Sequence, residues 1–331
     1  MSDPIDFTGQ AVVVTGAGRG LGRLYALDLA GRGAQVVVND IGATMGGSGT
    51  DASVADGVVA EIQAAGGTAI ASYESVDSPE GGAAIVEAAL SSFGRLDAVV
   101  SNAGIYEMTP FDELSTEQWR RMLQVHLDGT FYLCQPAFRV MKGQGYGRLV
   151  LVASNIGAFG QEQAVHYGAA KGGIIGLTNG LANEGAPHGI LANAVLPVGR
   201  TRMMTDSISD QRERAAEFGM DHVLDAFFEE TTPERVVPLV TFLASRSCVL
   251  SHHYVSAVAG RYARVFIGVG TGWLADREIA VRAEDIADHL AEVTGTDDST
   301  VPMSVSDEIV AVLGHVNREG PLDFRPRDQD S

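Results

Sequence analysis

Short apolar runs that end in glycine or a polar pair recur along the chain, each followed by a stretch in which apolar residues return every three or four positions. Ala11-Val12-Val13-Val14-Thr15 runs into glycines, after which Leu21, Leu24, Tyr25 and Leu29 keep helical spacing, so this pattern predicts a strand, a tight turn and a helix. Val36-Val37-Val38 closes the first unit at Asn39-Asp40. Further strands are expected at 69–73, 96–101, 148–153 and 191–196, with helices near 53–65, 80–93, 115–142 and 162–186. Strands alternating with helices in this way imply an α/β fold with a single Rossmann-type, doubly wound parallel sheet covered on both faces.

From Gly199 to about Pro233 the pattern turns polar and irregular, which is the length and character of a substrate loop or lid. Beyond Gly260 a strand at Val265-Phe266-Ile267 and helices near 283–293 and 305–315 are expected, and the charged tail after Gly320, with Pro321 and Pro326, is expected to fray. The organisation read from these patterns is a domain over 1–260 that includes the loop 199–233. A C-terminal extension, 261–331, would pack on the same domain or on a neighbouring subunit.

Composition narrows the function classes. With 42 acidic against 23 basic residues and a formal charge of -19, the chain repels nucleic acid and anionic membrane surfaces. No uninterrupted apolar stretch of about 18 residues occurs, and Met1-Ser2-Asp3-Pro4-Ile5-Asp6 lacks the basic and apolar regions of a secretory signal. The expectation is a soluble, cytoplasmic protein without a membrane span. Cys134 and Cys248 form no CxxC motif and are expected as small buried apolar residues. His252-His253 is adjacent, not spaced as ligands on one helix face, and no HExxH or Cys/His cluster exists, so no metal is expected.

The chemistry lies at the predicted strand ends. Doubly wound sheets bind ligands beyond the carboxyl ends of their strands, and Gly16, Asp40, Asn102, Ser154 and Pro197 each follow one, so they should converge. Gly16, Gly20 and Gly22, with Arg19 and Leu21 between them, fit GxxxGxG between a strand and a helix, where backbone N–H groups can approach a pyrophosphate. Asp40 ends the second strand, where a carboxylate accepts hydrogen bonds from the adenosine ribose and repels a 2′-phosphate, which favours NAD. Arg19 pulls the other way, since a basic residue in this turn can pair with that phosphate.

Tyr167 and Lys171 stand at i, i+4, with Ser154 upstream. A phenol with its ordinary pKa near 10 is a poor base at neutral pH, and an ammonium one turn away favours its ionised form. Alone, such a pair reads as an exposed amphipathic couple. In company with Ser154 and the glycine turn it reads as catalytic. His166, the residue before Tyr167, should point about 100° away around the helix and is expected at the surface or an interface.

Thr15 through Gly22, Ser101-Asn102-Ala103-Gly104, Ser154 and Tyr167-Gly168-Ala169-Ala170-Lys171 together resemble the short-chain dehydrogenase/reductase family. Val38-Asn39-Asp40-Ile41-Gly42 with a glycine-rich insert, Val125-His126-Leu127, Met141-Lys142, Tyr146-Gly147-Arg148, Ala194-Val195-Leu196-Pro197 and Arg202-Met203 are similar to the (3R)-hydroxyacyl-CoA dehydrogenase branch found in type 2 peroxisomal multifunctional enzymes. The resemblance implies oxidation of a (3R)-3-hydroxyacyl-CoA to the 3-oxoacyl-CoA with NAD as acceptor, fed by a separate enoyl-CoA hydratase. Relatives also oxidise 17β-hydroxysteroids, so a hydroxysteroid or general secondary-alcohol dehydrogenase without CoA stays open. A silent dinucleotide-binding scaffold is the third class, disfavoured by the intact Ser154, Tyr167 and Lys171.

By the same resemblance Tyr167 is the base, Lys171 lowers its pKa and holds ribose hydroxyls, and Ser154 hydrogen-bonds the substrate oxygen. His126 stands where many members have Asn and would serve an altered proton relay. Asn102, Ala103, Gly104, Ser75, Val76, Pro197 and Gly199 would line the cofactor path, although Pro197-Val198-Gly199 replaces the common Pro-Gly pair. Phe159, Gln161 and Met203, beside Ser154, are the substrate-side candidates. A homodimer or homotetramer built on the helices 115–142 and 162–186 is implied.

Overall fold

The computed structural model describes residues 3–200, 227–276 and 280–316. Contacts divide the chain into two compact units, Met1–Val265 and Phe266–Ser331. The first unit holds an eight-stranded sheet built from β1 (Ala11–Thr15), β2 (Gln35–Asn39), β3 (Thr68–Ser72), β4 (Ala98–Ser101), β5 (Gly147–Val152), β6 (Ile190–Val198), β7 (His253–Val258) and β8 (Arg261–Val265). Their order is β3-β2-β1-β4-β5-β6-β7-β8. All neighbours pair in parallel except the last two. The doubly wound sheet expected from the alternation is therefore the observed one, closed at one edge by an antiparallel strand.

The period of two along each strand sorts the core into two layers. Val12, Val14, Val36, Val38, Val100 and Val150 face α1 (Gly20–Gly31), α2 (Ser53–Ala64) and α8 (Val237–Ala244). Val13, Val37, Val99, Leu149 and Leu151 face α3 (Pro79–Phe93), α5 (Gly129–Gln144) and α7 (Val165–Gly185). Because both faces are covered, β1, β4 and β5 are buried at every position. This is why their centres, Val12-Val13-Val14, Val99-Val100 and Leu149-Val150-Leu151-Val152, read as continuous apolar runs and not as alternating ones. Cys134 and Cys248 are free and buried within these layers.

Two local devices depart from the pattern read off the sequence. The helix expected over 115–142 starts at α4 (Thr116–Leu123), is interrupted by a π turn at Gln124–Asp128, and resumes as α5. The strand expected at Val265-Phe266-Ile267 instead spans Arg261–Val265. Ala259 and Gly260 both take positive φ, 49° and 79°, the signature of a two-residue hairpin turn. That turn pairs Val258 with Arg261 and so pins the strand directly behind Gly260, leaving Phe266 and Ile267 exposed in the second unit.

The second unit, taken by itself, contains an antiparallel bridge between Val269 and Thr300 and the helices α9 (Ala283–Asp288), α10 (Leu290–Val293) and α11 (Val305–Val316). Trp273 stacks on His289 there at 4.1 Å between ring centroids. Among the described residues no helix is long and apolar enough to cross a membrane, and no group of three or more His, Cys, Asp or Glu side chains stands in a metal-binding arrangement.

Candidate active site

The chain leaves β1 toward β2 on one side and returns from β3 to β4 on the other, so the strand order reverses between β1 and β4. A crevice must open beyond their carboxyl ends. It is a cleft of about 540 Å³, lined at one end by Asp40, Ser75 and Val76 and at the other by Ser154, Tyr167 and Lys171. Gly16, Arg19, Gly20, Leu21, Gly22, Asn102, Ala103, Gly104, His126, Gln161, Pro197 and Gly199 line it as well.

The glycine turn is held hard against the end of β4. Gly16 has φ of 62°, and a Cβ on Gly22 would stand 2.1 Å from the Gly16 carbonyl oxygen. Asn102 donates its amide to the carbonyls of Thr15 and Gly16, while the Thr15 hydroxyl accepts from the backbone N–H groups of Asn102 and Ala103. No side chain caps the N-terminus of α1, and its first turn carries no acidic residue. The cleft floor therefore offers backbone N–H groups and the positive end of a helix dipole, which suits a pyrophosphate. Asp40 accepts from the N–H groups of Gly18 and Gly42, at 2.8 and 2.7 Å, and its carboxylate sits in the wall. The donor set fits a dinucleotide.

At the inner end, burial governs the electrostatics. The Ser154 hydroxyl caps the short helix α6 (Asn155–Phe159) by accepting from Ile156 N–H, and it stands close enough to the Tyr167 phenol to favour its ionised form. The Tyr167 ring stands edge-on to Tyr106 and His126, at 5.2 and 5.3 Å. Lys171 Nζ lies 5.7 Å from the centre of that ring and donates to the Val152 carbonyl at 2.6 Å. Desolvation pushes the phenol up to about 12, against the opposing influence of Ser154. The same desolvation brings the lysine down to about 7. The lowering expected from the ammonium does not act on the phenol here: burial dominates, and Ser154 is the neighbour that lowers it.

His126 lies in the π turn, with Nε2 in hydrogen-bond contact with the Ile105 backbone and Nδ1 buried without a partner in the structure. Burial first, and then the Lys171 charge, hold it well below the usual histidine range.

Residues 10–213 match the family model of the short chain dehydrogenases. The chain belongs to that family. It is a nicotinamide-dependent oxidoreductase. One, a short-chain type dehydrogenase/reductase of Mycobacterium tuberculosis, is 41% identical over 86% of this chain and 94% of its own length. The mouse peroxisomal multifunctional enzyme type 2 is 37% identical over 97% of this chain, which spans only 42% of that enzyme. The solved structure of the full-length Drosophila melanogaster enzyme of the same name superposes with a TM-score of 0.75 at 32% identity, covering 93% of this chain and 49% of that one.

As a short-chain dehydrogenase the protein corrects two expectations. Phe159 is not among the described residues that line the cleft: it ends the five-residue α6 and is 71% exposed. His166 is fully buried and not at the surface, since α7 packs against α4 on one side and against the sheet on the other. Met203 lies outside the described residues. Among residues passed over, Gly18 is needed because a Cβ there would meet Val54 at 2.3 Å and Asp40 at 2.9 Å. Tyr106 lines the cleft beside Gln161; its place just past the end of β4 was the available signal.

Proposed function

We propose that this short-chain dehydrogenase oxidises a (3R)-3-hydroxyacyl-CoA to the 3-oxoacyl-CoA with NAD as acceptor. The observation that carries the reading is the grouping of Ser154, Tyr167 and buried Lys171 at the inner end of a cleft whose other end carries the glycine turn and Asp40. The sequence resemblance to the hydroxyacyl-CoA dehydrogenase branch motivates the acyl-CoA class, and the similarity to peroxisomal multifunctional enzymes supports it. Ser154 holds the substrate oxygen and Tyr167 takes its proton as the C–H bond at C3 breaks. When bound, the oxidised nicotinamide accepts the hydride. Lys171 stabilises the tyrosinate electrostatically, and His126 serves the relay that returns the proton to solvent. Gln161 and Tyr106 border the space for the acyl chain.

The preference for NAD rests on Asp40. A 2′-phosphate placed against its carboxylate would meet like charge, and Arg19 is turned to donate to the Ala43 carbonyl at 3.1 Å. Asp40→Asn keeps the side-chain shape while removing the charge, and should reduce the NAD over NADP ratio of kcat/KM by about tenfold or more, the equivalent of ~1.4 kcal/mol. Steady-state kinetics with both cofactors measures it.

The deciding assay follows NADH formed from (3R)- and (3S)-3-hydroxyacyl-CoA beside a free 17β-hydroxysteroid. Turnover that needs both the thioester and the R configuration supports the proposal; turnover of the free alcohol alone replaces it with a hydroxysteroid dehydrogenase. A separate hydratase supplying the substrate, a homodimer or homotetramer, and a cytoplasmic location belong to the same proposal. Light scattering and cell fractionation test the last two.

A further inference from the structure

The glycine-rich insert between β2 and α2 has a role beyond joining them. Its base is closed by Asp51 N–H donating to the Ile41 carbonyl at 2.9 Å and by Gly42 N–H donating to Asp40. Within it, the Thr44 and Gly47 backbones donate to Ser48 and Thr44, each at 2.9 Å, and the Thr44 and Ser48 hydroxyls pair. The result is a compact loop whose ends are near each other and whose body is internally bonded.

Its tip reaches across the cleft mouth. Arg121, on α4, donates to the Gly46 carbonyl, and Tyr106 N–H lies 3.4 Å from the Met45 carbonyl. Ala43, Met45 and Gly47 line the same cleft from the loop side as Tyr106 and Arg121 do from the other. Gly47 fits closely against the arginine: a Cβ there would stand 2.8 Å from both Arg121 Nη2 and Ile105 Cγ2, and its φ is 75°.

We propose that residues 42–51 form a strap latched by Arg121, and that the strap retains the dinucleotide in the cleft and sets the rate at which the reduced cofactor leaves. The inference rests on the functional reading above. Arg121 is a positioning residue in this scheme, acting through the loop. A charge-assisted bond to a carbonyl is strong enough to matter for a release rate, and loop opening limits turnover in many enzymes.

Two variants separate the latch from a simple charge effect. Arg121→Ala removes both the bond and the cation, whereas Gly47→Val keeps the cation and displaces the loop from it. Hydrogen exchange on the dinucleotide-free chain should show faster exchange across 42–51 in both variants, with the β-sheet unchanged. Stopped-flow displacement should show NADH leaving about tenfold faster from both, the size expected for one lost bond to a charged group.

Faster release from Arg121→Ala alone would overturn the latch and leave the arginine as a charge facing the phosphates. Unchanged release from both, or unchanged exchange across the loop, would overturn it outright. A wild-type chain that binds neither NADH nor NADPH would overturn the dinucleotide reading, and this inference with it, so the two failures are distinguishable.

Discussion

Tyr167→Phe is expected to lower kcat on the (3R)-3-hydroxyacyl-CoA by about a thousandfold or more, in the range of losing a positioned general base, while NADH affinity and thermal stability stay close to wild type. The ring is held by edge contacts to Tyr106 and His126, which phenylalanine keeps. Ser154, the neighbour that the phenol loses, accepts from Ile156 N–H and so retains that backbone partner in the variant. Folding should therefore be little affected and chemistry severely. Single-turnover kinetics with NADH titration by fluorescence makes the distinction: undiminished turnover would remove Tyr167 from the mechanism. A wild type that binds NADH without turning over any alcohol would instead favour a silent scaffold. The same substitution reports on the orientation role of Ser154, because Ser154→Ala should cost less than the tyrosine change if the phenol is the group that takes the proton.

The sheet was legible because its central strands are buried on both faces, and a strand such as β1, with Val12 and Val14 in one layer and Val13 in the other, has no polar residue between its ends to confuse the pattern. The ligand end followed from topology, since a glycine turn after the first strand and a carboxylate after the second have one place to meet. What stayed hidden depends on contacts remote in sequence. The π turn at Gln124–Asp128 leaves no mark in apolar spacing, yet it carries His126 into the interior. Helical geometry gave the angle between His166 and Tyr167 but not which flanks of α7 would be covered, and both are. Phe159 was expected on the substrate side because it follows the catalytic strand closely, yet it ends a five-residue helix and is exposed. The strap was visible only as a glycine-rich insertion, and its partner Arg121 lies on another element.

Lys171→Met should lower kcat about a thousandfold, an electrostatic contribution of the size seen when one charged or donor group is lost from an active site, and should also reverse the usual link between activity and stability. The lysine is 3% exposed, and burial lowers it from 10.5 to about 7. Between those values the unfolded chain binds more protons than the folded one, so folding stability contributed by this group rises with pH across that window; below about 7 both states are protonated and the cost of the buried charge is present in full. From pH 7 to 8.5 the rise should be about 2 kcal/mol.

Tyr167 and Cys134 act in the opposite sense, because burial raises each to about 12, but their windows open only above the ordinary tyrosine and cysteine values of 10.0 and 9.0. The measurement is the difference in urea-unfolding free energy between wild type and Lys171→Met at pH 7 and 8.5, in which groups common to both cancel. The variant should lack the rise, and at pH 7 it should be at least as stable as wild type, despite losing the bond to the Val152 carbonyl. Equal slopes for the two proteins would mean that the ammonium is not desolvated as its burial implies. A flat, stable and inactive variant would mean that the fold carries an ionisable lysine at a cost in stability because the phenol needs a positive charge beside it, and that the activity should weaken as Lys171 loses its proton above about pH 7.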